Sequence, residues 1–252
     1  MKLILPANIY SSILIEALPE NKFEVIYKEA ALVLKELENE ASAVAMIPTL
    51  DLINHKTLFL SPRMGLSFDG QLSNAYLYFI EGQSSISKIN IRGDISMNEI
   101  LLTKILFSER YSSEIELNLD PAATPDKTNN CLVAGDENFR IWNYESCISF
   151  SDQIAEMLDL PYVNFTFASK DREAIAELNK YAENLDSRIE DKLESILKKL
   201  QWPAEVKSFI TQNLNSVYFE MTGNEISAVN ELIRLVYYHG IIEDLFDVNF
   251  VF

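Results

Sequence analysis

Residues 43–79, AVAMIPTLDLINHKTLFLSPRMGLSFDGQLSNAYLYF, decide how the chain is built. They open on an apolar run, residues 43–47, which Pro48 closes, the pattern of a buried strand running into a turn. They end on Ala75-Tyr76-Leu77-Tyr78-Phe79, aromatic-rich and high in strand propensity. Between the two runs stand Pro62, Gly65, Asp69 and Gly70, which predict a backbone that turns repeatedly. The small polar residues Ser67, Ser73 and Asn74 sit beside the second run. An α/β protein places such groups at a strand edge, facing a cleft.

Toward the N-terminus, residues 2–6 read as a first strand. Asn8 and the Ser11-Ser12 pair then open a helix through Leu18, because asparagine and serine cap free N–H groups. Residues 23–27 read as a second strand. Residues 30–38 read as a helix with Ala31, Leu34 and Leu37 on one face. With residues 43–47 as the third strand, the order is βαβαβ, which implies parallel pairing through right-handed crossovers. Ligands bind outside the carboxyl ends of such strands. Asn8, Thr49 and the Ser73-Asn74 pair all fall there.

Toward the C-terminus a second unit follows. Residues 89–91, 115–117 and 131–134 read as strands, and 96–107 as a helix with Leu101, Ile105 and Leu106 inward. Residues 121–130 are rich in turn formers and read as a loop. Gly135-Asp136 stops the strand before it. A helix at 150–158 and a strand at 163–168 come next. The remainder reads as largely helical. Ile189, Leu193, Ile196, Leu197 and Leu200 form one apolar stripe at helical spacing, and Ile226, Val229, Ile233 and Val236 another. The terminal Phe250-Val251-Phe252 is expected to pack back on the first unit.

Composition narrows the function classes. The chain has 252 residues, 48% of them hydrophobic, enough for a sizeable core. A formal charge of −17 opposes association with nucleic acid or anionic lipid. The two cysteines, Cys131 and Cys147, make neither a disulfide framework nor a metal-ligand pattern, and imply a reducing, cytoplasmic setting. Pro6, Asn8, Ser11, Ser12 and Glu16 interrupt the N-terminal apolar stretch, so it does not read as an export signal. No run approaches the roughly 18 apolar residues of a membrane helix. His55 and His239 are the only histidines and read as surface or structural.

Several segments resemble a known family in order along the chain. Val44-Ala45-Met46-Ile47-Pro48 answers its D-V-A-L-I/V-S/P strand, and residues 65–75 its G-I-A-S-x-G-x-V-x-S-V-L-L crossing segment. Residues 132–139 answer L-L-I-G-D-x-A-L, and residues 158–167 T-G-L-P-F-V-F-A-V-W. The family is that of the cytoplasmic relatives of type II periplasmic binding proteins in futalosine-type menaquinone biosynthesis, above all the chorismate dehydratases. The resemblance implies a two-lobed α/β fold, each lobe a mixed sheet flanked by helices. Two crossing strands near 73–79 and 163–168 would form the hinge. Lobe 1 would hold residues 1–78 and 166–252, and lobe 2 residues 79–165.

The resemblance also implies an activity, elimination of water from a cyclic carboxylic acid held between the lobes. Asn8 matches the asparagine of the family's Y-L-N-T-x-P-L motif and would be catalytic, assisted by Ser73 and Asn74. Asn8 reads equally as the cap of the first helix, and the two roles are compatible. Ser96, Asn98, Gly135, Asp136 and Thr49 would bind substrate. No metal or cofactor is implied. The partner would be a small anionic cyclic metabolite, and the protein a cytoplasmic monomer or homodimer. Asn74 stands on the family's serine, and Met97-Asn98 replaces its Thr-Ser pair. These exchanges support the alternative, a non-catalytic small-acid-binding protein on the same fold.

Overall fold

The N-terminal pattern folds as its periodicity predicts. In the computed structural model, which describes residues 1–83, 85–125, 128–141, 147–200 and 202–252, β1 (Lys2–Pro6) leads into α1 (Ile9–Ala17). β2 (Glu24–Lys28), α2 (Ala30–Asn39) and β3 (Val44–Pro48) follow. β1 pairs in parallel with both β2 and β3, Leu3 lying beside Val25 and Val44. Every residue of β3 is buried, as expected for a strand covered on both faces. A 3-10 turn, Thr49–Ile53, ends the unit.

β4 (Phe59–Phe68) comes next, then β5 (Ala75–Tyr78), β6 (Lys88–Gly93) and α3 (Met97–Tyr111). β7 (Glu116–Leu119), β8 (Cys131–Ala134), α4 (Glu137–Ile141), β9 (Cys147–Ser149) and α5 (Phe150–Leu158) complete the second unit. Of the loop expected at 121–130, residues 126 and 127 lie outside the described residues. β10 (Tyr162–Ser169) leads into α6 (Arg172–Leu178), α7 (Leu185–Lys199) and α8 (Ala204–Asn213). β11 (Val217–Glu220), α9 (Gly223–Tyr238) and β12 (Asn249–Phe250) close the chain.

Two mixed sheets result. The first runs β11-β4-β10-β3-β1-β2, with β12 also beside β4; the second runs β7-β6-β8-β5-β9. The chain passes to the second sheet between Phe68 and Ala75 and returns through α5. The stretches expected at the crossings lie at these passages. β5 is the first strand after the outward passage and β10 the first after the return.

One expectation fails. The stretch holding Pro62 and Gly65 does not turn repeatedly but forms the single ten-residue strand β4. Tertiary partners accommodate both residues. Leu60 pairs with Ala168 and Gly65 with Thr166, so residues 61–64 stand opposite Phe167 alone, in a wide irregularity that needs no ladder N–H from Pro62. The Ser61 hydroxyl accepts the N–H groups of Arg63 and Met64 there. At Gly65 an added Cβ would lie 2.7 Å from Met221 Sδ and 3.1 Å from the Phe165 carbonyl oxygen.

The tail carries a strand as well as helices. β11 lies against β4, and the Asp186 carboxylate pins it to α7 by accepting the N–H groups of Phe219 and Glu220. Leu185, Ile189, Leu193, Ile196 and Leu197 are buried on α7, and Val229, Ile233 and Val236 on α9. The C-terminus returns to the first sheet: β12 pairs with β4, and the Val251 N–H reaches the Leu60 carbonyl at 2.9 Å.

β6 ends at Gly93, whose φ of +85° suits glycine, and a Cβ there would come within 2.1 Å of the Ala134 carbonyl oxygen. Gly93→Ala is therefore expected to lower stability by about 2 kcal/mol or more. The urea midpoint, measured at an unchanged slope, checks this.

Candidate functional site

The site is a polar seam where helix starts of the first unit meet side chains of the second. β1 ends at Pro6, and Asn8 takes an extended conformation as the N-cap of α1. Its Oδ1 accepts the Ser11 N–H at 3.0 Å. The Ile9 N–H, in the first turn, has no intrahelical partner and donates to Asp136 Oδ1 at 2.9 Å. At α2 the N-cap residue Glu29 makes no side-chain cap. Asp94 supplies one instead, its Oδ1 accepting the Ala30 N–H at 2.7 Å. The 3-10 turn after β3 starts at Pro48 without a side-chain cap. Asn98 Oδ1 accepts the Leu50 N–H there at 2.9 Å. A helix start carries about half a positive charge, so oxygen acceptors stabilise it.

The remaining residues singled out from the sequence brace this seam. Ser73 Oγ donates to the Ala75 carbonyl at 2.6 Å and lies 2.7 Å from Ser151 Oγ. The Ser73 carbonyl accepts the Tyr10 hydroxyl at 2.9 Å. The Asn74 carbonyl accepts the Gly135 N–H at 2.7 Å. Thr49 Oγ1 donates to the Val163 carbonyl at 2.7 Å, and Asn98 Nδ2 to the Asn164 carbonyl at 2.6 Å. Ser96 caps α3 in a capping box with Glu99. Two groups emerge. Asn8, Ser73, Asn74, Gly135 and Asp136 are linked around the start of α1; Thr49 and Asn98 meet at Leu50, and Ser96 Oγ accepts the Asn98 N–H. The hydroxyls of Ser73, Thr49 and Ser96 are all engaged within the protein.

Sequence reasoning missed Asp94, Glu99, Asp51 and Asn164. A signal for Asp94 was present: Gly93-Asp94 repeats Gly135-Asp136, and each pair stands at the end of a strand. Both glycines have positive φ, +85° and +78°, and a Cβ on Gly135 would lie 2.9 Å from Asp94 Cβ. The two aspartates thus stand side by side. Glu99 carried only a cap signal, the Ser96-x-x-Glu99 spacing ahead of an apolar run; tertiary packing leaves it 1% exposed.

Burial dominates the electrostatics. It pushes the Asp94 carboxyl up to about 6; the Ala30 N–H opposes the rise, and Glu99, Glu29 and Asp136 add to it. Asp136 is likewise pushed up to about 6 by burial, against the Ile9 N–H and Arg140. Burial and then the Glu99 charge lift Asp51 to about 7. Burial raises Glu99 as well, opposed by its bonds to Ser96 and by Asn164.

Some buried polar atoms have no partner in the protein. Asn8 Nδ2, Asn74 Oδ1, Asn164 Oδ1, Thr166 Oγ1 and Glu99 Oε1 are among them. Such atoms are costly unless a small polar molecule or water meets them. The histidines take no part: His239 pairs with Glu109 at 2.8 Å, and His55 lies 4.0 Å from Glu38. Arg92 is engaged by the Ala123 carbonyl and Glu137. Among the described residues no group of three His, Cys, Asp or Glu side chains is placed to hold a metal ion, and no helix is long and apolar enough to cross a membrane.

No protein-family model matches the chain, and no curated protein matches it significantly. Solved structures do. A protein described as an ABC transporter from Parabacteroides distasonis matches with a TM-score of 0.64 at 13% identity, over 100% of this chain and 98% of that chain. SsuA from Escherichia coli, the periplasmic aliphatic sulphonate binding protein, matches with a TM-score of 0.56 at 11% identity, over 99% and 89%. A Candida albicans gene product described as exhibiting the generic periplasmic binding protein fold matches with a TM-score of 0.53 at 10% identity, over 99% and 92%. The chain has the two-lobed, periplasmic-binding-protein-like α/β fold expected from its sequence.

The raised carboxyls give a pH dependence with a definite sign. Their folded pKa values of about 6 to 7 lie above the usual 3.8, so the folded protein binds protons more tightly than the unfolded chain. This stabilisation is complete below about pH 4 and is lost as pH rises through 6 to 7. Tm is therefore expected to rise as pH falls from 8 to 5, each group contributing about 1–3 kcal/mol. Asp94→Asn should flatten the slope, which thermal melts across that range will show.

Proposed function

We propose that the protein binds a small organic acid in the seam between its lobes and closes over it. The observation that carries this reading is the start of α1. The Ile9 N–H points across the seam, and Asn8 Nδ2, on a side chain only 3% exposed, has no partner. Helix starts are anion sites, and at this one a carboxylate oxygen of Asp136 already takes the Ile9 N–H. The likeness to SsuA, a protein described as binding aliphatic sulphonates, supports an oxyanion on this fold.

Binding is favoured over catalysis by how the polar groups are spent. Ser73 and Thr49 use their hydroxyls on backbone carbonyls, and Asn8 uses its Oδ1 to cap α1. None of the three is a proton acceptor waiting for substrate. The second reading, elimination of water from a chorismate-like cyclic acid, is supported by the order of the motifs and by Asp136. That carboxylate is tuned to about 6, near the value a general base needs at neutral pH. Asn8 Nδ2 would then donate to the departing hydroxyl. A cytoplasmic place in menaquinone biosynthesis belongs to this second reading alone.

Asn8→Ser separates capping from binding. Serine caps as well as asparagine, so stability should change by only a few tenths of a kcal/mol, while the buried amide donor is gone. Small carboxylic and sulphonic acids are expected to raise the Tm of the wild type and not of Asn8→Ser. Chorismate incubated with the protein should be recovered intact by mass spectrometry. Loss of water that disappears in Asn8→Ser would instead establish the eliminating enzyme.

A further inference from the structure

We propose that Asp94 and Asp136 are internal ligands of the first lobe: their carboxylates hold the starts of α2 and α1 in the empty protein, and an external oxyanion binds by displacing Asp136. The proposal rests on the small-acid reading of the seam and adds a competitor built into the chain.

The device is made twice. Gly93 ends β6 with Asp94 next to it, and Gly135-Asp136 follows β8; these strands are parallel neighbours, with Gly93 beside Ala134. Each glycine turns with positive φ, and each aspartate then reaches an N–H of the other lobe, Ala30 at 2.7 Å and Ile9 at 2.9 Å. Neither N–H is capped by its own flanking side chain. Glu29 makes no cap at α2, and Asn8 spends its oxygen on Ser11.

The hold at α1 is incomplete, which is why an outside ligand can win. Asp136 Oδ1 takes the Ile9 N–H, yet Asn8 Nδ2 at the same helix start stays buried without a partner. A carboxylate or sulphonate brought by a ligand can accept from both donors. It cannot do so beside Asp136, because two negative charges a few ångströms apart in a buried site repel strongly. The ligand's charge therefore drives Asp136 off Ile9, and binding is coupled to rearrangement of the seam. Asp136 and Asp94 set a threshold that weak anions do not cross.

Asp136→Asn and Asp94→Asn test this. Asparagine keeps the shape and an accepting oxygen but removes the charge. Methanesulphonate and benzoate serve as probes, with affinity read by calorimetry and protection of the Ile9 and Ala30 amides by hydrogen exchange. Affinity in Asp136→Asn is expected to rise about ten-fold or more, the scale of one charged hydrogen bond. Exchange at Ile9 should quicken in the empty variant and slow again when the probe is added. Asp94→Asn should quicken Ala30 in the same way, with a smaller gain in affinity. If a probe protects the seam amides equally well and binds equally tightly in wild type and Asp136→Asn, the internal-ligand proposal is overturned while the small-acid reading stands. If neither probe binds any of the three proteins, although exchange at Ile9 quickens in Asp136→Asn, both are overturned.

Discussion

Three N–H groups in the first lobe, on Ile9, Ala30 and Leu50, begin helical segments and have no partner within them. Buried donors must be paired. The second lobe pairs all three, through Asp136, Asp94 and Asn98. How the lobes sit against each other depends on this exchange. It also explains why carboxylates are tolerated in a closed interface, since each faces the positive end of a helix rather than another acid alone. Seam and fold are therefore one problem, because the residues that close the molecule are those on which the proposed ligand site rests.

The polar contacts across the seam are individually modest. A hydrogen bond contributes about 0.5–1.5 kcal/mol net, or about 1.5–3 when one partner is charged. The stacked Phe139 and Trp202 rings, 5.1 Å apart, add an aromatic contact between α4 and the tail, worth about 1 kcal/mol beyond the area it buries. Micromolar binding is about 8 kcal/mol. The apolar core, which runs as one continuous cluster through both sheets, is far harder to open. β3 and β10 are buried at every position, and each large apolar side chain there contributes about 1.5–3 kcal/mol. A ligand of ordinary affinity is thus comparable to the polar contacts of the seam and not to the core.

What the sequence made legible follows the range of the interactions concerned. β1, α1, β2, α2 and β3 were readable because their apolar spacing and the Asn8 cap are local signals. β4 was not, because Pro62 and Gly65 are local breakers whose accommodation is tertiary: the Ser61 hydroxyl replaces ladder bonds, and Met221 and Phe165 pack against Gly65. β11 was lost among helices because four residues carry too little period. At the site, Asn8 and Asp136 stood out at strand ends. Glu99 and Asp51 did not, because nothing local marks a charge for burial. Asp94 lay between these cases, visible only to a reader who compared the two Gly-Asp pairs.

The family motifs and the geometry speak to different questions. The motif resemblance led to the expected order of elements and the lobed fold, and the likeness to solved structures supports that fold alone. The motifs say less about chemistry, because a serine in a motif is a reagent only if its hydroxyl is free. Here Ser73 lies in a closed set with Ala75 and Ser151, and Ser96 is bound to Glu99. Among the described residues the groups left without partners include the amide atoms Asn8 Nδ2, Asn74 Oδ1 and Asn164 Oδ1, the hydroxyls of Ser11, Ser67 and Thr166, and one carboxylate oxygen of Glu99. Amides recognise by donating and accepting at fixed positions and do not exchange protons at neutral pH. The open groups are thus of mixed kind, and the amides among them suit recognition at fixed positions. In the reading proposed above, the titrating aspartates would act first on closure, through the helix starts they hold, and on chemistry only for a ligand that brings a proton within their reach.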